Sequence, residues 1–259
     1  MNTGFPRAFT ALFAFLIAAS LLHAEKNDPP LPRVVRAVQV VGRIALDGVL
    51  NDETWTRATP ASDFTQRDPD EGRESTEKTE VRFAYDDAAI YVGVQLLDSE
   101  PGKIARRLSR RDNDADSDTF TIFISPNHDN LTGALFEISA AGVQRDAAIS
   151  NDTNTDYSWD GVWESAVGID DKGWYAELRI PFSQLRFPKS SLHVWGVNAR
   201  RIIYRKNESA WLRMVPKTES GVASRMEDLE GINGLEANRH LELMPYVVAR
   251  SEFIEPLSP

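Results

Sequence analysis

The feature that most limits what this chain can fold into is a strict alternation of apolar and polar residues, repeated segment after segment. "TEVRFAYD" sets Val81, Phe83 and Tyr85 on one side and Glu80, Arg82 and Ala84 on the other. "AIYVGVQLLD" aligns Ile90, Val92, Val94 and Leu96, and "DTFTIFIS" aligns Phe120, Ile122 and Ile124. "GWYAELRI" aligns Trp174, Ala176, Leu178 and Ile180 against Tyr175, Glu177 and Arg179. A side-chain period of two belongs to a strand with one face on a core and the other toward water. "DD", "PG", "DN" and "DKG" break these runs where a chain turns. Helical signals are short. "LNDETWTRA" offers Asn51 or Asp52 as an N-cap with Trp55 and Ala58 on one side, "PGKIARRLSR" allows two turns, and "PFSQL" allows one. Many strands and few helices predict an all-β fold, an antiparallel β-sandwich.

With no cysteine in the chain, such a sandwich must be held by its core rather than by disulfides. Residues 1–24 have the form of a signal peptide: Arg7, an apolar run from Ala11 to Leu22, and a small residue at Ala24. The chain is therefore expected to be exported, periplasmic or outer-membrane associated. Residues 25–37 follow as a leader, rich in proline at its start, and 38–237 as the sandwich. Residues 238–259, with Leu241, Leu243 and Val247 on one face, read as the start of a further β-rich region.

Charge and motifs exclude several function classes. The net charge is −10, and −11 once Arg7, the only Lys, Arg, Asp or Glu before Glu25, is removed. A nucleic-acid partner needs a basic face and is not expected. His128, His193 and His240 lack zinc-ligand spacing, and no nucleophile elbow, P-loop or dinucleotide fingerprint is present. A glycosidase would need two carboxylates across a cleft. Glu137, Asp146, Asp160, Glu164 and Glu177 are available, yet nothing in their spacing selects a pair, and Glu164 and Glu177 are expected to face solvent.

"IALDGVLNDETW", "VRFAYDDAAIYVGVQLLD", "SDTFTIFISP" and "GWYAELRIPFSQL" together resemble the family 9 carbohydrate-binding modules over roughly residues 38–235. That resemblance implies a jelly-roll sandwich, a polysaccharide or oligosaccharide ligand, calcium, and association with carbohydrate catabolism. Sugar-binding members clamp a terminal ring between two tryptophans. At the matching positions this chain has Ala115 and the aromatic-free "SGVASRMEDL", so the clamp is not carried over. "SWDGVWESAV", "LRFP", "WGVNARRI", "YRKNESAW" and "RHLELMPYV" also resemble an uncharacterised bacterial family. In that family a similar domain precedes a region like an outer-membrane β-barrel, which makes such a barrel a second expected partner and a structural, ligand-free domain the competing reading.

Candidate site residues follow from side-chain chemistry. In "YSWDGVWESAV", alternation puts Trp163 in the core, and the turn-rich loop leaves Trp159 and Tyr157 as stacking platforms with Asp160 as a hydroxyl acceptor. Arg201 and Arg205, on one side of "RRIIYRKNESAW", are candidates for bidentate bonds to hydroxyls, or for pairing with Glu177 or Glu164. "RDNDADSD" carries Asp112, Asp114, Asp116 and Asp118, a candidate calcium set, although Ser117 and Phe123 occupy the glycine and glutamate positions of an EF-hand loop. Lys103, Arg106, Arg107, Arg110 and Arg111 precede it and are expected to neutralise it.

Overall fold

The computed structural model describes residues 33–113, 116–190 and 192–235. The strands are β1 (Val34–Gln39), β2 (Thr65–Asp68), β3 (Thr79–Tyr85), β4 (Ala89–Leu97), β5 (Thr119–Ser125), β6 (Gly133–Ser139) and β7 (Gln144–Ser150). They continue as β8 (Asn154–Asp156), β9 (Glu164–Ile169), β10 (Gly173–Pro181), β11 (Leu192–Ile203), β12 (Glu208–Trp211) and β13 (Glu227–Asn233). One helix, α1 (Glu53–Arg57), lies between β1 and β2.

The strands form one curled sheet in the order β8-β7-β6-β5-β11-β13-β1-β3-β4-β10-β9, with β12 and then β2 added beyond β11. β1 is the seam. Its first half pairs with β13 and its second half with β3, both in parallel. The front half of the sheet (β8 to β13, with β12 and β2) and the back half (β3, β4, β10, β9) thus face one another across a single core. Alternation carries no information on strand direction, and the sheet is mixed rather than purely antiparallel. The first strand also starts at Val34, inside the segment expected to be leader, because Val35 and Ala37 enter the core.

The core has the predicted parity. Val81, Phe83 and Tyr85 meet Ile90, Val92, Val94 and Leu96, together with Phe120, Ile122, Ile124, Trp174, Ala176, Leu178 and Ile180. Trp163 joins them, with its ring edge-on to Phe136 at 5.5 Å. Each sheet half is also partly covered on its outer side. Ile44 and Trp55 pack on Ala84, Ala89 and Tyr91 behind the back sheet. Ala223 and Met226 pack on Phe123, Leu135, Ala147 and Ile149 in front of the front sheet.

The back cover overturns one expectation. Glu177 does not face solvent; it is fully buried. Its carboxylate accepts from Trp55 Nε1 at 2.9 Å, from the Gly48 amide at 2.9 Å and from the Asp47 amide at 3.0 Å. Burial pushes its pKa up, against the lowering effect of those donors. Gly48 has φ +80°, and a Cβ there would lie 2.4 Å from Val167 C, so only glycine lets this segment lie on β9. Asp52 occupies the N-cap position of α1, but its carboxylate accepts from the Ala45 amide instead. "PGKIARRLSR" makes only a turn of 3₁₀ helix at Pro101–Lys103. Beyond it Ser117 Oγ binds both the amide and the carbonyl of Arg107, and the Asp118 amide binds Ala105 O, taking backbone groups a helix would need.

Candidate functional site

The outer side of the front sheet carries a polar row in strict cross-strand register. Arg145 on β7 lies opposite Glu137 on β6, Glu137 opposite Thr121 on β5, Thr121 opposite Arg200 on β11, and Arg200 opposite Trp211 on β12. At about 4.8 Å per strand the row is roughly 19 Å long. The row next to it is Asn198, Phe123, Leu135 and Ala147, of which the three apolar residues lie in the cluster covered by Ala223 and Met226. The apolar cover stops there; at the polar row the Arg200 and Arg145 side chains are 26% and 21% exposed, while Thr121 and Glu137 between them are buried.

The row is pre-organised. Glu137 Oε2 accepts from Thr121 Oγ1 at 2.7 Å and from Arg200 Nη2 at 2.9 Å, while Arg145 Nη1 stands 3.8 Å from Glu137 Oε1. An aromatic ring closes each end. The Arg145 guanidinium lies 4.1 Å from the centroid of Tyr157, and that of Arg200 5.4 Å from Trp211. Trp211 is stacked on Phe123 at 5.3 Å, so one ring face is anchored. Arg200 Nε, Trp211 Nε1 and Thr119 Oγ1 are buried without hydrogen-bond partners among the described residues. Such groups are costly unless a ligand or water meets them. Two arginines, a carboxylate and two rings suit a neutral, hydroxyl-rich ligand, for which they supply donors, acceptors and stacking surface together.

Inside the sheet the arrangement is different. Arg201, next on β11, is fully buried and donates to Leu97 O at 2.8 Å and to Lys78 O and Thr79 Oγ1 at 3.2 Å each. Asp98 Oδ2 lies 3.9 Å from it and is held by a bidentate pair from Arg205 at 2.7 Å. Burial lowers the Arg201 pKa to about 10, against the pull of Asp118, Asp98 and Glu77. Asp118 is itself pushed up by burial, although the Tyr204 amide and Arg201 favour its charged form.

The model of the carbohydrate family 9 binding domain-like family matches residues 46–207, more than half of the chain. The chain belongs to that family. Among solved structures, a carbohydrate binding module family 9 from Caldicellulosiruptor kristjanssonii in complex with cellotriose has TM-score 0.57 at 15% identity, over 82% of this chain and 100% of that one. The same organism's module in complex with glucose gives TM-score 0.56 at 14% identity, over 80% and 97%. A Bacteroides uniformis ATCC 8492 protein described as carbohydrate-binding gives TM-score 0.62 at 10% identity, over 77% and 99%. Comparison with curated proteins finds no match.

The family 9-like fold distributes the residues expected from sequence to four places. Tyr157 alone reaches the polar row. Trp159 is partly buried, edge-on to Phe136 at 5.9 Å, and lines a separate cleft of 370 Å³ with Pro126, Asn127, Gln184 and Arg186. A Cβ on Gly161 would come within 2.9 Å of its ring, so Trp159 anchors its own loop. Asp160 is exposed and meets Arg111 Nη2 at 3.0 Å; that guanidinium also binds Asp146, which accepts from Trp163 Nε1 and the Gly161 amide. Arg201 is out of a ligand's reach, and Arg205 is committed to Asp98. Neither pairs with Glu177 or Glu164; Glu164 takes Arg179 instead.

The acidic run likewise separates. Asp112 lies 3.5 Å from Arg111 Nε, Asp116 bonds Arg107 at 3.0 Å, and Asp118 is buried against the Tyr204 amide. Asp114 lies outside the described residues, as do residues 1–32 and 236–259. Among the described residues no three acidic or histidine side chains converge on a metal position. The polar row was available from sequence by parity. Val197, Ala199, Arg201 and Ile203 continue one apolar face, which sends Arg200 outward, as Phe120 and Ile122 send Thr121 and as Phe136 and Ile138 send Glu137.

Proposed function

We propose that this domain is a non-catalytic carbohydrate-binding module whose ligand lies along the row Tyr157, Arg145, Glu137, Thr121, Arg200 and Trp211. The observation that carries this reading is the row itself: a partly exposed arginine and an aromatic ring at each end of a locked arginine–glutamate–arginine network whose centre is buried. Family membership supports it, as do the cellotriose and glucose bound by similar modules. The reading does not need the two-tryptophan clamp. Trp211 and Tyr157 take the aromatic role from positions on β12 and in the loop after β8. Two ring contacts and two or three net hydrogen bonds, at about 1 kcal/mol each, give roughly 4–5 kcal/mol, a Kd on the order of 0.1–1 mM for a short oligosaccharide.

The wider role is exported polysaccharide binding in carbohydrate catabolism, with residues 1–24 as the export signal and residues 238–259 leading toward a barrel-like partner. Calcium has no convergent ligand set among the described residues and takes no part in the proposed site. The test is titration of the full chain with cellotriose and a polysaccharide panel, read by calorimetry and by tryptophan fluorescence quenching compared with that of Trp211→Phe. Saturable binding that Arg200→Ala weakens at least tenfold supports the row as the site. Absence of binding to every glycan by a folded protein overturns the reading and favours the ligand-free structural domain.

A further inference from the structure

The back of the molecule holds a second cleft that the polar row does not explain. It has a volume of 510 Å³, within the usual range for small-molecule sites. Trp55 lies at its floor, 2% exposed and locked by the bond from its indole to Glu177. Val49, Leu50 and Ile169 supply apolar wall, and Val49 and Ile169 are exposed there without an apolar cover. The remaining wall is a fixed polar chain. Tyr175 donates to Asp170 Oδ2 at 2.9 Å and accepts from Gln95 Nε2 at 3.4 Å, and Arg82 is braced by Glu80 at 2.7 Å. A neighbouring cleft of 440 Å³ shares Ile169 and Asp170 with the first and continues to Arg106.

We propose that this double cleft is a second carbohydrate subsite, taking a neutral oligosaccharide of two or three rings independently of the front row. The chemistry selects the ligand class. Charges along the first cleft balance, Arg82 against Asp170, so a charged ligand gains nothing. Gln95 Oε1 and the Asp170 carboxylate accept from hydroxyls, Arg82 donates to them, and the Tyr175 ring with Ile169 and Val49 meets a sugar's apolar face. The two clefts adjoin at Ile169 and Asp170, so rings of one oligosaccharide fall to neighbouring compartments. A site on each side of the sandwich would let one domain bridge two glycan strands, which raises avidity well beyond either site alone.

This proposal rests on the reading of the domain as a carbohydrate binder, and the experiment separates the two. Cellotriose is titrated into isotopically labelled full chain while the Trp55 indole, the Gln95 side-chain amide and the Trp211 indole are followed by NMR. Expected is movement of Trp55 and Gln95 in wild type and, with the same midpoint, in Arg200→Ala. Tyr175→Ala should weaken that movement at least tenfold and leave the Trp211 response intact. Ile169→Arg, at an exposed position, should do the same by filling the shared wall and guards against misfolding of the tyrosine variant. Movement of Trp211 alone overturns the second subsite and keeps the front row. Movement of all three probes at one midpoint, lost together in Arg200→Ala, also overturns it, because that is one site felt at a distance. No movement at any probe overturns both.

Discussion

Arg200 and Arg201 stand side by side on β11, and the pleat sends them to opposite faces of the same sheet. Arg200 lies on the outer row, a quarter exposed, with one carboxylate and one indole for company. Arg201 lies in the interior with no exposure, bonded to three carbonyls and a threonine hydroxyl within reach of Asp98 and Asp118. Residue type is identical and the difference is desolvation. Inside, a guanidinium persists only because surrounding acceptors offset the loss of water, and those acceptors then depend on it in turn. Outside, part of the guanidinium keeps its water, so its charge costs less to hold. The inner arginine is a structural commitment, and the outer one is the binding group of the proposed site.

The sharpest way to break this comparison is Arg201→Met. It leaves Asp98, Asp118 and Glu77 without their buried cation and should cost about 3–5 kcal/mol in urea unfolding. A loss under about 1 kcal/mol would dissolve the distinction. Glu177→Gln extends the comparison to the back sheet. The new amide must face either Trp55 Nε1 or the Asp47 and Gly48 amides, donor against donor, and should cost about 1–3 kcal/mol with front-row binding unchanged.

Arg200→Ala is the complementary experiment. Its stability cost should be on the order of 1 kcal/mol, since Glu137 keeps Thr121, while affinity for cellotriose drops at least tenfold. Acid titration sharpens the inner half. Burial of Asp98 opposes its ionisation, but the bonds from Arg205 and the charge of Arg201 outweigh it and hold its pKa below the ordinary value. That group contributes stability above about pH 4 and loses it as pH falls through the depressed pKa. Asp98→Asn should therefore be the less stable protein at pH 7, and the gap in urea midpoint should close in acid. Asp118 acts in the opposite sense: its raised pKa marks a cost of charge burial that is relieved as pH falls. The smallest effect is expected from Asp116→Asn. Its pair with Arg107 is exposed on both sides, and the melting temperature should not move measurably.

Most of the fold was legible because alternation is a local property. Phe83, Val92, Ile122 and Leu178 announce an inward face within their own strands, and Trp163 follows the same rule. The site was legible only in part. Tyr157 is legible as a loop aromatic, and alternation puts Arg201 and Arg205 on one side of their segment, but whether that side faces ligand or core follows only from its continuation through Val197 and Ala199. Trp159, a loop tryptophan by sequence, packs over Gly161 and against Phe136 while still lining a cleft of its own. Of the acidic run, Asp112 and Asp116 meet Arg111 and Arg107, arginines close by in sequence, whereas the burial of Asp118 against the Tyr204 amide depends on a segment far along the chain.

What the sequence by itself determined is the inner surface of this protein: which strands form, and which side chains of each enter the core. Which outer faces are sealed and which stay open was decided only by the tertiary structure. Trp55 reaches Glu177 across 122 residues, Arg205 reaches Asp98 across 107, and Ala223 and Met226 settle over Phe123 from far along the chain. Period-two patterning is set by a residue's immediate neighbours, whereas cover depends on where a distant loop comes to rest. A carboxylate with the same local pattern therefore became an anchor for an indole and two backbone amides at Glu177 and the centre of an arginine network at Glu137.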